Sequence, residues 1–150
     1  MANPVCEVLV TDAQLNAPEN RVDPAAGARI DFQGIVRGSE EGREIEGIDY
    51  EAHKTMAEHQ MEIIADASVE TFRLKQVLLH HRTGFVRTGE ASLFLRVSAQ
   101  HRAAAFEASK WIVDELKKKV PIWKRARFKI QNDMPGSSPP ATAVAPTTAK

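Results

Sequence analysis

Apolar and polar residues alternate in several short segments of the chain, and this two-residue period is typical of β-strands. The alternation is clearest in GARIDFQGIV, residues 27 to 36, which we predict to be a half-buried strand. Its two sides carry, respectively, Ala28, Ile30 and Phe32, and Arg29, Asp31 and Gln33. Four further runs predict strands at Val5 to Thr11, Ile45 to Glu51, Gln76 to Arg82 and Ala91 to Val97.

Two longer segments follow the three-to-four-residue period of an amphipathic helix. The first runs from Thr55 to about Phe72, and its predicted apolar face consists of Met56, Ile63, Ile64, Ala67 and Phe72. The second lies between Ser98 and Lys124, and its predicted stripe consists of Ala105, Phe106, Ser109, Ile112, Val113, Leu116 and Val120. We expect Ser98 to cap the start of this helix, and Pro121 to end it because proline has no N–H.

Cationic side chains mark both ends of the second helix. His101 and Arg102 lie in its predicted first turn, where backbone N–H groups without a helical partner and the helix dipole favour an anion. Lys117 and Lys124 would be about 10 Å apart in a continuous helix, but a bend at Pro121 lets them converge. From the spacing alone, two alternatives are about equally supported: an anion site at the helix N-terminus, or a surface of ordinary charge pairs.

Arg37 ends the strand at residues 27 to 36 and opens the segment GSEEGRE, which we predict to be a loop. Two interpretations of this arginine stay open. It is either a solvated loop residue, as most loop charges are, or an anion contact on a flexible loop.

Composition limits the class of protein. A chain of 150 residues with 43% hydrophobic residues suits one domain with a core, and a formal net charge of +0 argues against nonspecific nucleic-acid binding. No apolar run approaches the roughly 20 residues of a membrane helix, and the N-terminus has no secretory pattern. The single cysteine, Cys6, fits a reducing cytoplasm and leaves no cysteine pair to carry a persulfide.

The composition divides the chain into a domain and a tail. Residues 1–132 form the predicted domain, and residues 133–150, rich in Pro, Ala and Thr, form a predicted disordered tail.

His53 and His59 do not have the four-residue spacing that puts two ligands on one helical face, so we expect no metal site.

Four segments, taken in order, resemble the family of molybdopterin synthase catalytic (large) subunits. They are FQGIVRG from Phe32 to Gly38, IDYEAHKTMAE from Ile48 to Glu58, HRTGFVRTGE from His81 to Glu90, and SAQHRAAAFEA with LKKKVPIWK, which ends at Lys124. Their order and spacing match the family from about Gly27 to Lys124. Four ordered motifs are far more specific than any one of them.

The resemblance implies an α+β structure, the α/β-hammerhead fold with an additional small antiparallel β-sheet. It implies sulfur transfer in molybdenum cofactor biosynthesis: the C-terminal Gly-Gly thiocarboxylate of a small ubiquitin-like subunit donates sulfur to cyclic pyranopterin monophosphate, which becomes the molybdopterin dithiolene. Two large subunits would form a homodimer within a heterotetramer. No cofactor, metal, nucleic acid or membrane is implied.

The resemblance also assigns residues by motif. Lys117, Lys124 and His101 would be catalytic, and the substrate would be bound by Arg37, His101, Arg102 and Phe32. A lysine crowded by other cations can have a lowered pKa, and histidine can relay protons near neutral pH.

One position departs from the family pattern. PIWK is usually followed there by a basic residue and then glutamate, whereas this chain reads Lys124-Arg125-Ala126. The alternative is therefore a non-catalytic paralogue of the same fold that binds an anion or a partner. A third interpretation, nucleic-acid binding by the basic run from Lys117 to Lys129, has only Trp123 and Phe128 as aromatic support.

Overall fold

Two helices and eight strands are formed by residues 5–18 and 23–130, which are the residues described in a computed structural model. In chain order they are β1 (Cys6–Thr11), β2 (Ala28–Ile35), β3 (Ser39–Glu40), β4 (Arg43–Ala52), α1 (Lys54–Phe72), β5 (Gln76–Arg82), β6 (Gly84–Arg87), β7 (Ala91–Ala99), α2 (Arg102–Lys119) and β8 (Ile122–Phe128). The tail predicted at residues 133–150 lies outside the described residues. Neither of the two helices is long and apolar enough to cross a membrane.

The first of two four-stranded sheets has the strand order β1-β5-β7-β2. β1 pairs with β5 in parallel, and the two remaining pairings, β5 with β7 and β7 with β2, are antiparallel. The central strands β5 and β7 are buried on both faces along nearly their whole length, so neither shows an alternation of buried and exposed residues.

Both helices pack against this sheet, α1 on β1 and β5 and α2 on β7 and β2. The predicted apolar faces of the helices were partly wrong. Met56, Ile63 and Phe106 are 54%, 49% and 64% exposed. Small residues occupy much of the interface, and they let the helix backbones approach the sheet closely: Ala57, Ala65 and Ser68 of α1, and Ala105, which was predicted, and Ala108 of α2.

The predicted cap of α2 was also wrong, whereas its predicted end is confirmed. Ser98 is buried in β7, which continues to Ala99 because Ser98 pairs with strand neighbours on both sides. His101 is the N-cap residue. At the other end α2 stops at Lys119 and Val120 is extended, as expected before Pro121.

The second sheet is built around β4. The short strands β3 and β6 pair with one edge of β4 in antiparallel fashion, and β8 pairs along it from Ile45 to Ala52. β8 was not predicted, because its positive charges conceal its alternation of buried Ile122 and Ala126 with exposed Trp123 and Arg125. Two helices, one mixed sheet and this second, antiparallel sheet confirm the predicted α+β hammerhead fold.

A close aromatic contact explains a glycine at the centre of β4. A Cβ added to Gly47 would overlap the backbone oxygen of Val86 and lie 2.7 Å from Cζ of Phe85. The ring of Phe85 therefore lies over the glycine, and the guanidinium of Arg127 on β8 packs 3.9 Å from its centroid. Gly47 lets β6, β4 and β8 share one aromatic contact.

This contact predicts that Gly47→Ala destabilises the fold by about 2 kcal/mol or more, since the neighbouring strand cannot yield locally. Gly38→Ala is the matched control, because the nearest atom to its added Cβ is the Thr88 methyl at 3.6 Å. We expect its cost to stay below about 0.5 kcal/mol. Urea unfolding of both variants measures the difference, and equal midpoints would contradict the packing argument.

Candidate active site

A cavity of about 340 Å³ lies where the two sheets meet the C-terminal end of α2. We call it the main cavity. Its walls come from both sheets, from α2 and from the segment after β2, and include Phe32, Ile48, Leu93 and Leu116. Because six strands and a helix converge there, the cavity is a product of tertiary packing and not of one local motif.

The structure brings four of the predicted site residues to this cavity: Phe32, Arg37, Lys117 and Lys124. Lys117 lies in the last turn of α2, and Lys124 lies on β8. Pro121 turns the chain between them, and the pairing of β8 with β4 sets Lys124 opposite Tyr50. The predicted convergence of the two lysines around Pro121 is thus confirmed.

His101 and Arg102 lie at the opposite end of α2. His101 and Lys117 are 16 positions apart, and this separation corresponds to about 24 Å of helix at 1.5 Å per residue. Both side chains are exposed, and neither lines the main cavity of its own chain. Within one chain, the predicted cationic set is therefore divided between two places.

The segment after Arg37 is a tight hairpin and not the predicted flexible loop. Ser39 and Glu40 of β3 pair with Glu44 and Arg43 of β4. The two residues between the strands, Glu41 and Gly42, both have positive φ, 53° and 76°, as a type I′ turn requires. Arg37 itself is largely exposed, and its guanidinium lies 3.5 Å from the carboxylate of Glu40.

Four polar residues of the main cavity were missed as site residues by sequence reasoning: Glu40, Tyr50, His81 and Ser92. Tyr50 and His81 lie within segments that resemble the family, but nothing in their local pattern shows that they meet. Their rings pack edge to face with centroids 5.4 Å apart. Such a contact between strands of different sheets becomes visible only in three dimensions.

Burial keeps the deepest of these groups neutral. It lowers the pKa of His81 to about 4, and the neutral ring donates its Nδ1–H to the Arg82 carbonyl at 2.8 Å. Burial also raises the pKa of the Tyr50 hydroxyl; the negative charge of Glu40 acts in the same direction, and a hydrogen bond with Ser92 opposes it. The cavity thus combines cations with neutral donors and acceptors.

A second cavity of about 190 Å³ adjoins the first and shares Arg37, Glu40, Ile48 and Lys124 with it. We call it the side cavity. Ala126 and Phe128 line it from β8, on the same face of the strand as Lys124. Position 126, where the resemblance implies glutamate, therefore faces the cationic groups, and its alanine is 5% exposed.

Part of the basic run from Lys117 to Lys129 is paired with neighbouring carboxylates. Lys119 contacts Glu115 at 2.6 Å, Arg127 contacts Asp49 at 3.1 Å and Lys129 contacts Glu44 at 3.3 Å. These pairs do not favour a nucleic-acid surface. Among the described residues, no group of three or more His, Cys, Asp or Glu is arranged to hold a metal ion, and His53 caps α1 by accepting from the N–H of Met56.

The chain matches known proteins over most of its length. The sequence model of the family described as MoaE protein matches residues 9–119. The molybdopterin synthase catalytic subunit of Pyrococcus abyssi is 44% identical over 101 residues, which are 67% of this chain and 68% of that protein.

Solved structures agree with this match. The crystal structure of molybdopterin synthase from Staphylococcus aureus has a TM-score of 0.69 and 29% identity, and the match covers 73% of this chain and 80% of that one. A complex of subunits 1 and 2 of the molybdopterin-converting factor of Helicobacter pylori contains a chain with a TM-score of 0.61 at 18% identity, covering 85% of this chain and 92% of that one. The second likeness concerns the fold alone.

Burial of His81 predicts a loss of stability in mild acid. The folded-state pKa is about 4 and the ordinary value is 6.5, so between these pH values the unfolded chain binds a proton that the folded chain excludes. Stability is therefore full above pH 6.5 and falls as the pH drops towards 4, by up to about 3 kcal/mol.

Urea unfolding from pH 7.5 to 4 measures this loss. The His81→Gln variant is the comparison because it lacks the titrating group. Any advantage in unfolding free energy of the wild-type chain over His81→Gln at pH 7.5 should shrink or reverse on acidification. An NMR titration of the wild-type His81 ring tests the same point without a mutation. A midpoint near 6.5 would contradict the prediction.

Proposed function

Since this chain belongs to the MoaE family, we propose that it acts in molybdenum cofactor biosynthesis as the catalytic subunit of a molybdopterin synthase. The observation that carries the proposal is the convergence of Arg37, Lys117 and Lys124 on the main cavity. Three cations around a partly enclosed space suit a substrate that carries a phosphate and a partner that delivers an anionic tail. We propose that the functional domain spans residues 1–132.

The proposed reaction is sulfur transfer to cyclic pyranopterin monophosphate from the thiocarboxylate of a small ubiquitin-like subunit. For each sulfur transferred, the bond between sulfur and the donor's terminal carbonyl carbon breaks, and sulfur bonds to a carbon of the substrate in place of an oxygen, whose bond to that carbon breaks. Water attacks the donor's carbonyl carbon and supplies the second oxygen of the carboxylate that remains on the donor. An external sulfur carrier fits a chain whose single cysteine, Cys6, has its pKa raised to about 12 by burial and the nearby Asp66.

The two lysines would act on opposite walls of the same space. Lys117 approaches from α2 and Lys124 from β8, so that one can hold the thiocarboxylate while the other transfers a proton or bonds covalently to the substrate. Phe32 supplies an aromatic wall that is 38% exposed and suits a flat heterocycle.

The lysine assignment predicts that Lys117→Ala and Lys124→Ala each lower product formation by 100-fold or more in a single-turnover assay (about 3 kcal/mol of transition-state stabilisation). The assay combines the purified chain, a thiocarboxylated small subunit and the pyranopterin precursor, and follows dithiolene product. Lys118→Ala is the matched control. Lys118 is the next residue of α2, but it does not line the main cavity, and its ammonium lies 3.8 Å from the carboxylate of Glu115. Full activity in both lysine variants would refute the assignment.

The same assay decides the alternative of a non-catalytic paralogue, which Ala126 favours. A paralogue would bind the small subunit tightly and yield no product from the wild-type chain. Ala126→Glu would then be the next variant, since position 126 faces Lys124 in the side cavity.

His101 and Arg102 enter this scheme only through a second copy of the chain. About 24 Å of rigid helix separates His101 from the main cavity of its own chain. Exposed apolar residues lie both at the start of α2 and at the main cavity. Phe106 is one turn beyond Arg102, and Ile35, 46% exposed, lines the cavity together with Phe32. A two-fold dimer that joins these surfaces would bring the partner's first helical turn to each cavity.

This arrangement predicts complementation between inactive chains. His101→Ala and Lys117→Ala homodimers should each lose activity, whereas a refolded equimolar mixture should recover about a quarter of the wild-type sites. Half of the dimers are then mixed, and one of their two cavities receives intact residues from both chains. Mixing His101→Ala with Arg102→Ala is the control, because both changes then affect the same end of the helix and each cavity receives one of them. A mixture without recovered activity would place His101 outside the shared site.

A further inference from the structure

We propose that Glu90 is a positioning residue that holds Arg37 at the main cavity through the turn formed by residues 87–90. This inference rests on the proposed function, in which Arg37 binds the substrate, and adds to it the group that fixes the backbone of this arginine. Glu90 itself lines neither the main cavity nor the side cavity. Its effect on the cavity therefore passes through a chain of hydrogen bonds.

The side chain of Glu90 closes the turn. Its Oε1 atom accepts a hydrogen bond from the backbone N–H of Arg87 at 3.2 Å and another from Nη1 of Arg82 at 3.0 Å. Both bonds lower the pKa of the Glu90 carboxyl, which keeps the group charged at neutral pH. The backbone N–H of Glu90 donates to the Arg87 carbonyl at 3.0 Å, and Gly89 has a φ of 89°, as a type II turn requires.

The 87–90 turn joins the two sheets. The strand before it, β6, pairs with β4 of the second sheet, and the strand after it, β7, lies in the first sheet. Arg82 ties the turn to β5, and its side chain is only 15% exposed, so this ion pair is less screened by water than a surface pair. Thr88 ties the turn to β4, because its N–H donates to the Glu46 carbonyl at 3.0 Å and its hydroxyl donates to the Ile45 carbonyl at 3.1 Å.

This turn holds the backbone next to Arg37. The N–H of Val36 donates to the Glu90 carbonyl at 3.0 Å, and the Val36 carbonyl accepts from the N–H of Gly89 at 2.8 Å. On the other side of the arginine, the Gly38 carbonyl accepts from an N–H of β4 at 3.0 Å. Arg37 lies between the end of β2 and the start of β3, so the contacts of its two neighbours set the position of its backbone.

The side chain of Arg37 is held only loosely by its own contact. It is 80% exposed, and its ion pair with Glu40 has a length of 3.5 Å, at the limit of a hydrogen bond. A long exposed side chain meets a bound anion well only if its backbone starts from the right place. Loss of the Glu90 carboxylate should therefore weaken substrate binding without removing any charged group from the cavity.

The first test measures the turn in the free chain, by NMR-detected hydrogen exchange at the amides of Val36 and Gly89. In Glu90→Gln we expect both amides to exchange about 10-fold faster, since the charged contact to Arg82 is lost. Glu58→Gln is the matched control, because Oε2 of Glu58 likewise accepts from one backbone N–H and one lysine, each at 2.8 Å, and Glu58 lines neither cavity. The two amides should keep their wild-type exchange rates in this control. Unchanged exchange in Glu90→Gln would overturn the inference.

The second test measures single-turnover rates against the concentration of the pyranopterin precursor. Glu90→Gln should raise the half-saturating concentration by about 3- to 10-fold and leave the limiting rate within about twofold of the wild type. The double variant Arg37→Ala/Glu90→Gln should match Arg37→Ala alone, because Glu90 acts through Arg37. Glu58→Gln should keep the wild-type value even if its unfolding midpoint falls, which separates positioning from a general loss of stability.

Four results in an active chain would overturn the role of Glu90. The half-saturating concentration is unchanged in Glu90→Gln, it is raised equally by Glu58→Gln, it is higher in the double variant than in Arg37→Ala, or Arg37→Ala itself leaves it unchanged. Each of these results leaves the proposed function standing. A wild-type chain that makes no product removes the proposed function, and the role of Glu90 in it, whatever the exchange rates are.

Discussion

The pairing of β8 along β4 is the contact on which the candidate site depends. Without this pairing, nothing would hold the chain after Pro121 against β4, and Lys124 would not line the same cavity as Lys117. The pairing is antiparallel and extends over most of β4, and the Phe85 ring between Gly47 and Arg127 adds a side-chain contact to the backbone ladder. The proposed catalytic arrangement is thus fixed by sheet formation, which is rigid, and not by loops.

Charge is the second constraint. The cavity gathers Arg37, Lys117 and Lys124 where water is partly excluded, and their mutual repulsion is strongest there. The fold limits the cost by leaving Arg37 and Lys117 largely exposed and by keeping the buried groups His81 and Tyr50 neutral. Such a site is incomplete until an anion enters it, which suits a protein whose proposed substrate and donor both bring negative charge.

The sequence anticipated the elements better than their orientation. Strands with clear alternation and helices with clear ends lie close to where they were predicted, because proline, glycine and side-chain period act locally. The helix faces were partly misjudged because Met56 and Phe106 were assigned to the core, whereas they are exposed and small residues such as Ala57 and Ala108 take part of the buried faces. β8 escaped prediction because Lys124 points inwards on a strand whose other charges point outwards.

The residues of the candidate site also fall into two groups, those that the sequence predicted and those that only the structure shows. The resemblance to a family placed Phe32, Arg37, Lys117 and Lys124 together, and the cavity contains all four. No local pattern shows Tyr50 against His81, since their contact joins strands of different sheets. The uninterrupted length of α2 matters for the proposed dimer: if its two ends serve cavities in different copies, competent sites exist only in the assembled dimer. At low concentration the number of such sites would rise with the square of the concentration of free chain, so that synthesis of the chain itself would set a threshold for the proposed sulfur insertion.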